Sequence, residues 1–277
     1  MELKFVKYNP SGNTTILIID PLPRKRYSDI AAKIMTDTYL CAEQVGFLEK
    51  AEHPKALARL QMMGGEFCGN ASRSLAAWIA MGGMESGKIH NFEGDKKEVI
   101  IEMSGYRGIL TAVVQNQQPG YRCNVAIEMP LPSDIYHGRN DQLGDYSIVV
   151  YEGILHVILW NKTAADAYVH IVKDFLKKEQ LDTDCFGILF YNSATSQMTP
   201  VVYVRAVGSL TWEKSCGSGT VALVSALAQR EGRTIKNMQI HQPGGELFAS
   251  IDWNGGIIAA KLAGDIDITA AGTIYID

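Results

Sequence analysis

Trp212-Glu213-Lys214-Ser215-Cys216-Gly217-Ser218-Gly219-Thr220 is the stretch whose reading decides the fold, because the chain carries an earlier echo of it. The echo is Gly65-Glu66-Phe67-Cys68-Gly69-Asn70-Ala71-Ser72. Each reads Glu, one or two residues, Cys-Gly, then a small polar residue. Each runs straight into an apolar, helix-forming segment, Arg73 to Ala80 in one case and Val221 to Gln229 in the other. A cysteine at the start of a helix has backbone N–H groups and the positive end of the helix dipole beside it, and these lower a thiol pKa. The glycine that follows lets a ligand come close to those N–H groups, as anion sites at helix N-termini require. Two such motifs predict two matched halves serving one small anionic ligand.

Outward from these motifs, both halves show the same order of elements. Lys4 to Tyr8 and Thr14 to Ile19 read as strands about the turn Asn9-Pro10-Ser11-Gly12-Asn13. Ser28 is a candidate N-cap for a helix to about Leu40, and Glu43 to Leu48 and Leu57 to Met63 read as strands. Residues 86–92, 97–103, 107–116 and 121–129 read as further strands, stopped at Met129-Pro130-Leu131-Pro132. In the second half, strands are expected within Ser147 to Trp160, a helix over Thr163 to Lys178, and strands at 186–191 and 200–206. The second cysteine motif and a helix to about Glu231 follow. Ile240-His241-Gln242-Pro243-Gly244-Gly245 is a strand end and turn, and the rest is strand-rich.

The expected fold class is therefore α/β (α+β): two halves, each a mixed, barrel-like sheet around a central helix. The domain division expected is 1–117 with Cys68 and 118–267 with Cys216, the strand at about 268–277 returning to the first half. The halves share little sequence, so the repeat is a structural inference.

Composition narrows the function. The 277 residues are 47% hydrophobic and 20% charged, enough apolar material for real cores. A formal charge of −4 points to neither nucleic acid nor an acidic membrane as partner. No apolar run reaches about 18 residues, and the N-terminus lacks the apolar core of a signal peptide, so a cytoplasmic protein is expected. The five cysteines are scattered, with no C-x-x-C and no tight Cys/His spacing, which argues against a disulfide framework or a zinc site. No P-loop and no complete dinucleotide fingerprint is present, so no cofactor is expected. Gly217 to Ala222 fits a looser glycine fingerprint but does not directly follow a strand.

Five motifs in order carry a family resemblance: Ser11-Gly12-Asn13, Gln44-Val45-Gly46-Phe47, Glu66 to Asn70, Glu213 to Thr220 and Pro243-Gly244-Gly245. The whole chain resembles the diaminopimelate epimerase superfamily, whose fold is a pair of pseudo-symmetric α/β barrels, each enclosing one helix. The resemblance implies proton transfer at an amino-acid Cα without a cofactor. Cys68 and Cys216 would be the two acid/base groups, one thiolate and one thiol on opposite faces of the substrate. A single base returns a proton only to the face it came from, so inversion needs the second group. Which cysteine deprotonates the L-enantiomer is open.

The departures from that superfamily bear on the substrate. Diaminopimelate epimerases carry Glu-Arg nine and eight residues before the second cysteine, where this chain has Val207 and Gly208. The Asn of their Gly-Asn-Pro-His stretch falls at Ile154, and the Asn before their first cysteine motif falls within Met62-Met63-Gly64-Gly65. A second zwitterion set among Ile, Met and Val would lose its hydrogen bonds, at several kcal/mol by rough estimate, so diaminopimelate is rejected as substrate.

With Lys7 to Asn13, Glu43 to Phe47, Glu66 to Ala71, Trp212-Glu213, Ser215 to Thr220 and His241 to Gly245, the chain more closely resembles the cofactor-independent histidine racemases of this fold. They supply D-histidine for opine-type metallophores. The resemblance implies a homodimer and a small amino-acid substrate contacted by Asn13, Glu43, Gln44, Gly69, Asn70, Glu213, Gly217 and Ser218. Backbone N–H groups of Gly69-Asn70 and Gly217-Ser218 would take the carboxylate. Glu43 would take either an imidazole N–H or the ammonium. Glu213 would either contact the ammonium or order its loop. His156 is either a site histidine or a hydrogen-bonded core residue, and His241 is structural. Cys41, Cys123 and Cys185 are read as structural. The alternatives are a racemase of this fold for another amino acid and a non-catalytic amino-acid-binding protein.

Overall fold

Continuous apolar runs such as Thr15–Ile18 and Cys185–Asn192 mark strands covered on both faces; a parallel crossover follows the first and precedes the second. The computed structural model describes residues 1–84, 90–92, 94–117, 120–181, 183, 185–205 and 209–277. They form two compact units, Met1–Glu128 with Ala263–Asp277, and Met129–Leu262.

In the first unit, β1 (Glu2–Asn9) and β2 (Thr15–Ile18) form an antiparallel pair. A crossover through α1 (Tyr27–Ile34) leads to β3 (Gln44–Glu49), parallel to β2 and antiparallel to β4 (Arg59–Met62). The chain then passes through α2 (Gly69–Trp78) and the short β5 (His90–Phe92) into β6 (Lys96–Met103), which runs parallel to β4. β7 (Ile109–Gln117) and β8 (Arg122–Glu128) continue antiparallel. The long β17 (Ile257–Tyr275) pairs with both β8 and β1, which joins the two ends of this series. Arg122 clamps that seam with two hydrogen bonds to Asp267, at 2.6 and 3.0 Å.

The second unit repeats the order. β9 (Asp134–Asn140), β10 (Gly144–Tyr151) and β11 (Ile154–Trp160) are antiparallel neighbours. A crossover through α3 (Ala167–Lys178) leads to β12 (Cys185–Asn192), parallel to β11 and antiparallel to β13 (Gln197–Val204). β14 (Ser209–Trp212) pairs back on β13, and α4 (Gly217–Glu231) carries the chain to β15 (Ile235–Gln242), parallel to β13. β16 (Gly245–Trp253) completes the hairpin.

The helices do two different jobs. α1 and α3 are amphipathic covers: Ile30 and Ile34 pack with Ile16, Ile18 and Phe47, and Val169, Val172 and Leu176 pack with Val157, Ile188 and Phe190. α2 and α4 are interior helices. α2 lies against β2, β4, β6, β7 and β8, and α4 against β10, β11, β12, β15 and β16. A helix ringed by a sheet needs a thin cylinder. Hence α2 buries Gly69, Ala71, Ser72, Ser74, Ala76 and Ala77, and α4 buries Gly217, Gly219, Ala222, Ser225, Ala226 and Ala228. α4 stops at Gly232, whose φ of 61° is the left-handed C-cap that glycine adopts cheaply.

The expected fold class holds, with local differences. α1 ends at Ile34, not near Leu40. Thr36-Asp37-Thr38 is a poor helix continuation, and the Thr36 hydroxyl donates back to the Lys33 carbonyl at 2.8 Å. α3 begins at Ala167, and the carboxylate of Asp166 before it accepts a hydrogen bond from the Trp212 indole at 3.0 Å. β9 and β14 were not expected. β9 is polar and mostly exposed, so it shows no burial alternation, and its register comes from β10 alone. Of the strand expected over 86–92, residues 86–89 lie outside the described residues.

Candidate active site

Both cysteines are helix N-caps. Cys68 has extended backbone (φ −137°, ψ 111°), and its sulfur accepts the Ala71 N–H at 3.4 Å. Cys216 is built alike (φ −125°, ψ 111°), its sulfur accepting the Gly219 N–H at 3.3 Å. Sulfur thus occupies the place usually held by a Ser or Asp oxygen. A hydroxyl four residues on locks each cap: Ser72 donates to the Cys68 carbonyl at 2.8 Å, and Thr220 to the Cys216 carbonyl at 2.7 Å. The two motifs are one local structure made twice, from sequences that share only Cys-Gly.

Around this common frame the two thiols have different neighbours. The Cys68 thiol is partly exposed and donates to the Gln44 side-chain oxygen at 2.8 Å. Gln44 opens β3, beside Glu43, whose backbone N–H is fastened to the Thr14 carbonyl at 3.0 Å. Asn13 is buried in the turn before β2. Gly69 and Asn70 head α2, and Asn70 accepts a hydrogen bond from Arg73 at 2.9 Å. Asn13, Glu43, Gln44, Gly69 and Asn70 therefore belong to the same unit as Cys68.

Cys216 is buried, and its backbone N–H donates to the Gln242 side-chain oxygen at 2.8 Å. The Gln242 amide nitrogen donates in turn to Thr220 Oγ1 at 2.8 Å. Ser218 Oγ lies 3.6 Å from the Cys216 sulfur and 3.0 Å from His156 Nε2. Glu213, fastened through its N–H to the Pro200 carbonyl at 3.0 Å, reaches the same thiol. Burial, then the Glu213 charge, push the Cys216 thiol well up; the Ser218 and Gly219 hydrogen bonds oppose them. This reverses the expectation that a helix N-terminus lowers the pKa, because loss of solvent and a neighbouring anion outweigh two hydrogen bonds.

Several contributors are invisible in the linear motifs. Gln242 looks like a strand-end polar residue, and only the β15 register carries its amide to Cys216. His156 is fully buried, its pKa lowered to about 3 by burial, so the imidazole is neutral when it meets Ser218. Gly187 makes room for it: a Cβ there would stand 2.2 Å from His156 Nδ1. Ile154 starts β11 and Met62 ends β4, while Val207 and Gly208 lie outside the described residues. Among the described residues all five cysteines are free thiols, and Cys123 is pushed up to about 12 by burial. No group of three or more His, Cys, Asp or Glu among the described residues is arranged to hold a metal ion. No described helix is long and apolar enough to cross a membrane.

Each unit thus encloses one helix capped by a thiol, and solved proteins with this fold include a probable proline racemase from Agrobacterium radiobacter (TM-score 0.66, 13% identity, 99% of this chain and 93% of that one covered). The chain is similar throughout its length to a solved Bacillus anthracis phenazine biosynthesis protein of the PhzF family. The TM-score is 0.68 at 14% identity, with 100% of each chain covered. Sequence comparison is more specific. The family described as "Histidine racemase CntK N-terminal domain" matches residues 2–275. A histidine racemase from Fusobacterium nucleatum is 35% identical, over 99% of this chain and 97% of that protein. One from Staphylococcus aureus is 26% identical, over 99% of this chain and 98% of that protein. The chain belongs to the histidine racemase family.

Proposed function

We propose that this protein interconverts L- and D-histidine by direct proton transfer at Cα, with Cys68 and Cys216 as the two acid/base groups. The observation that carries this reading is the duplicated cap: two thiols, each seated on the N-terminus of an interior helix. Histidine as substrate is supported by the names of the full-length relatives.

The chemistry follows from the parts. Removing an α-proton builds enolate-like charge on the substrate carboxylate. Backbone N–H groups of Gly69-Asn70 and Gly217-Ser218, at the positive ends of two helices, suit that charge. One cysteine takes the α-proton as thiolate. The other, as thiol, gives a proton to the opposite face of Cα, and the product leaves the two protonation states exchanged. Gln44 can serve Cys68 in both states, because its amide offers an acceptor to a thiol and a donor to a thiolate. Asn13 and Glu43 complete the substrate contacts in the first unit, Glu43 toward the imidazole N–H or the ammonium. Glu213 and Ser218 act beside Cys216. The same resemblance carries the setting: a cytoplasmic homodimer supplying D-histidine to opine-type metallophore assembly.

The test is proton NMR in D2O under reducing conditions, with each chiral proteinogenic L-amino acid and diaminopimelate, following the α-proton signal. Exchange for histidine, abolished in Cys68→Ser and in Cys216→Ser, is the expected result. Exchange for a different amino acid would keep the two-thiol chemistry and overturn the substrate. No exchange with any of them, in protein with free thiols, would leave an amino-acid-binding protein as the reading.

A further inference from the structure

Arg73 is the largest fully buried side chain among the described residues, at 0% exposure. It lies one turn into α2, five residues after Cys68. Side chains of a helix slant toward its N-terminus, and Arg73 follows the rule: one nitrogen, Nη2, donates to the Asn70 side chain at 2.9 Å. Nε and Nη1 have no hydrogen-bond partner among the described residues. A guanidinium so placed has donors left over, and a buried cation is tolerated only with an anion close by.

The acidic groups that Arg73 feels are Cys68 at the helix cap, Cys123 on β8 and Asp265 on β17. Asp265 is exposed and accepts hydrogen bonds from Gln117 and Asn124 at 3.2 and 2.8 Å. Cys123 is sealed in the sheet, 1% exposed, away from any helix cap; burial drives its thiol up, Arg73 opposes this, and Asp265 and Asp267 add to the rise, so the net direction is upward despite Arg73. It also sits next to the buried Tyr8 hydroxyl, itself pushed up by burial. Cys68 is the remaining group. It has a helix N–H on its sulfur and Gln44 beside it, both able to donate to an anion. Burial lowers Arg73 to about 10, which still leaves it charged at neutral pH.

The second motif lacks the matching cation. Five residues after Cys216 stands Val221, fully buried and neutral. Three residues before it stands Glu213, where the first motif has Gly65. Each motif has a carboxylate, Glu66 two residues before Cys68 and Glu213 three before Cys216; burial pushes the Glu66 carboxyl up, Glu213 acts directly on the Cys216 thiol, and Cys68 has a buried cation besides.

We infer that Arg73 is a positioning residue of the site: its buried guanidinium orients the Asn70 carboxamide and stabilises Cys68 as thiolate. In the ligand-free protein Cys68 is accordingly the resting base, and Cys216, beside Glu213, the resting acid. The inference deepens the two-thiol reading and rests on it. It assigns to the two halves unequal roles that the duplicated Cys-Gly motif conceals.

The test titrates the thiols directly. Intact protein is treated with iodoacetamide across a pH series, and alkylation at Cys68 and Cys216 is quantified by peptide mass spectrometry. The pH midpoint is read for each, so that differences in access cancel. Cys68 is expected to titrate at least one pH unit below Cys216, roughly a tenfold difference in thiolate fraction. Arg73→Met is expected to move the Cys68 midpoint upward by a similar amount and leave that of Cys216 in place, while Arg73→Lys largely restores it. A Cys216 midpoint at or below that of Cys68 in the native protein would overturn the inference, whether or not the Arg73 variants fold. An unmoved Cys68 midpoint in folded Arg73→Met would overturn the role of Arg73. Failure of every tested amino acid to exchange would defeat the racemase reading without touching this ordering, and exchange with a reversed ordering would defeat this inference alone.

Discussion

Replacing Gln242 with leucine tests how the second thiol is held. Gln242 is 9% exposed and spans two buried groups, accepting the Cys216 N–H and donating to Thr220 Oγ1, both at 2.8 Å. Leucine keeps most of the volume and neither hydrogen bond. Thr220 suffers little, because its hydroxyl still donates to the Cys216 carbonyl at 2.7 Å. The Cys216 N–H loses its acceptor inside the protein. An orphaned buried donor costs about 1–3 kcal/mol, and the lost amide-to-hydroxyl bond about 1 kcal/mol more. The expected local destabilisation is therefore about 2–4 kcal/mol, which is roughly a 30-fold or greater rise in opening of that amide.

Hydrogen exchange of the Cys216 amide reads this opening directly and does not depend on the whole chain unfolding in one step. Racemisation measured alongside should fall mainly in kcat, because the change displaces the sulfur and leaves the first unit's substrate contacts untouched. Thr220→Val is the control: it removes the hydroxyl but leaves the Cys216 N–H paired, so the amide should exchange much as before. Unchanged Cys216 protection and full activity in Gln242→Leu would refute the idea that this amide anchors the cap. Equal loss of protection in Thr220→Val would place the effect in packing instead.

Two further outcomes follow from the same geometry. Gly219→Ala puts a Cβ 2.7 Å from Leu189 Cδ2 and 3.1 Å from the Cys216 sulfur. Overpacking of this kind costs about 1–3 kcal/mol; lowered Tm in thermal unfolding and lost activity are expected, and a fully active, equally stable variant would contradict the close packing of α4. His156 concerns pH. Its folded pKa of about 3 lies below the ordinary histidine value, so between the two only the unfolded chain binds the proton. Its neutral form is thus a source of stability that is whole above about pH 6.5 and declines as pH falls, by about 2 kcal/mol on reaching pH 5. His156→Gln should flatten that part of the stability–pH curve measured by urea unfolding, and a curve of unchanged slope would show that the imidazole is not buried neutral.

Much of the architecture was legible because it repeats. The order strand, crossover helix, strand, Cys-Gly, interior helix can be read twice in the linear chain, and α4 was expected to end at Glu231, where it does. Periodicity located α3, which has one apolar face, and a candidate cap located α1, although Ser28 lies inside that helix and Arg26 precedes it. The reading failed at β9, which has little burial pattern to detect, and at the end of α1, where Thr36 turns its hydroxyl back on the helix. The interior helices were recognisable by their cysteine caps and not by amphipathicity, since a helix surrounded on all sides has no polar face.

By itself, the sequence determined which atoms are available for chemistry: two Cys-Gly caps, their flanking carboxylates, and the small residues that let a helix fit inside a sheet. These are local properties, decided within a turn or two of chain. The charge environment of each thiol was decided by tertiary structure alone. Gln44 reaches Cys68 from β3, Gln242 reaches Cys216 from β15, and His156 reaches Ser218 from β11. Arg73 looks in the sequence like an ordinary helix residue, and becomes an enclosed cation only when the sheet closes around α2. Desolvation and through-space charge depend on what surrounds a group in three dimensions, and the linear chain does not carry that information until it folds.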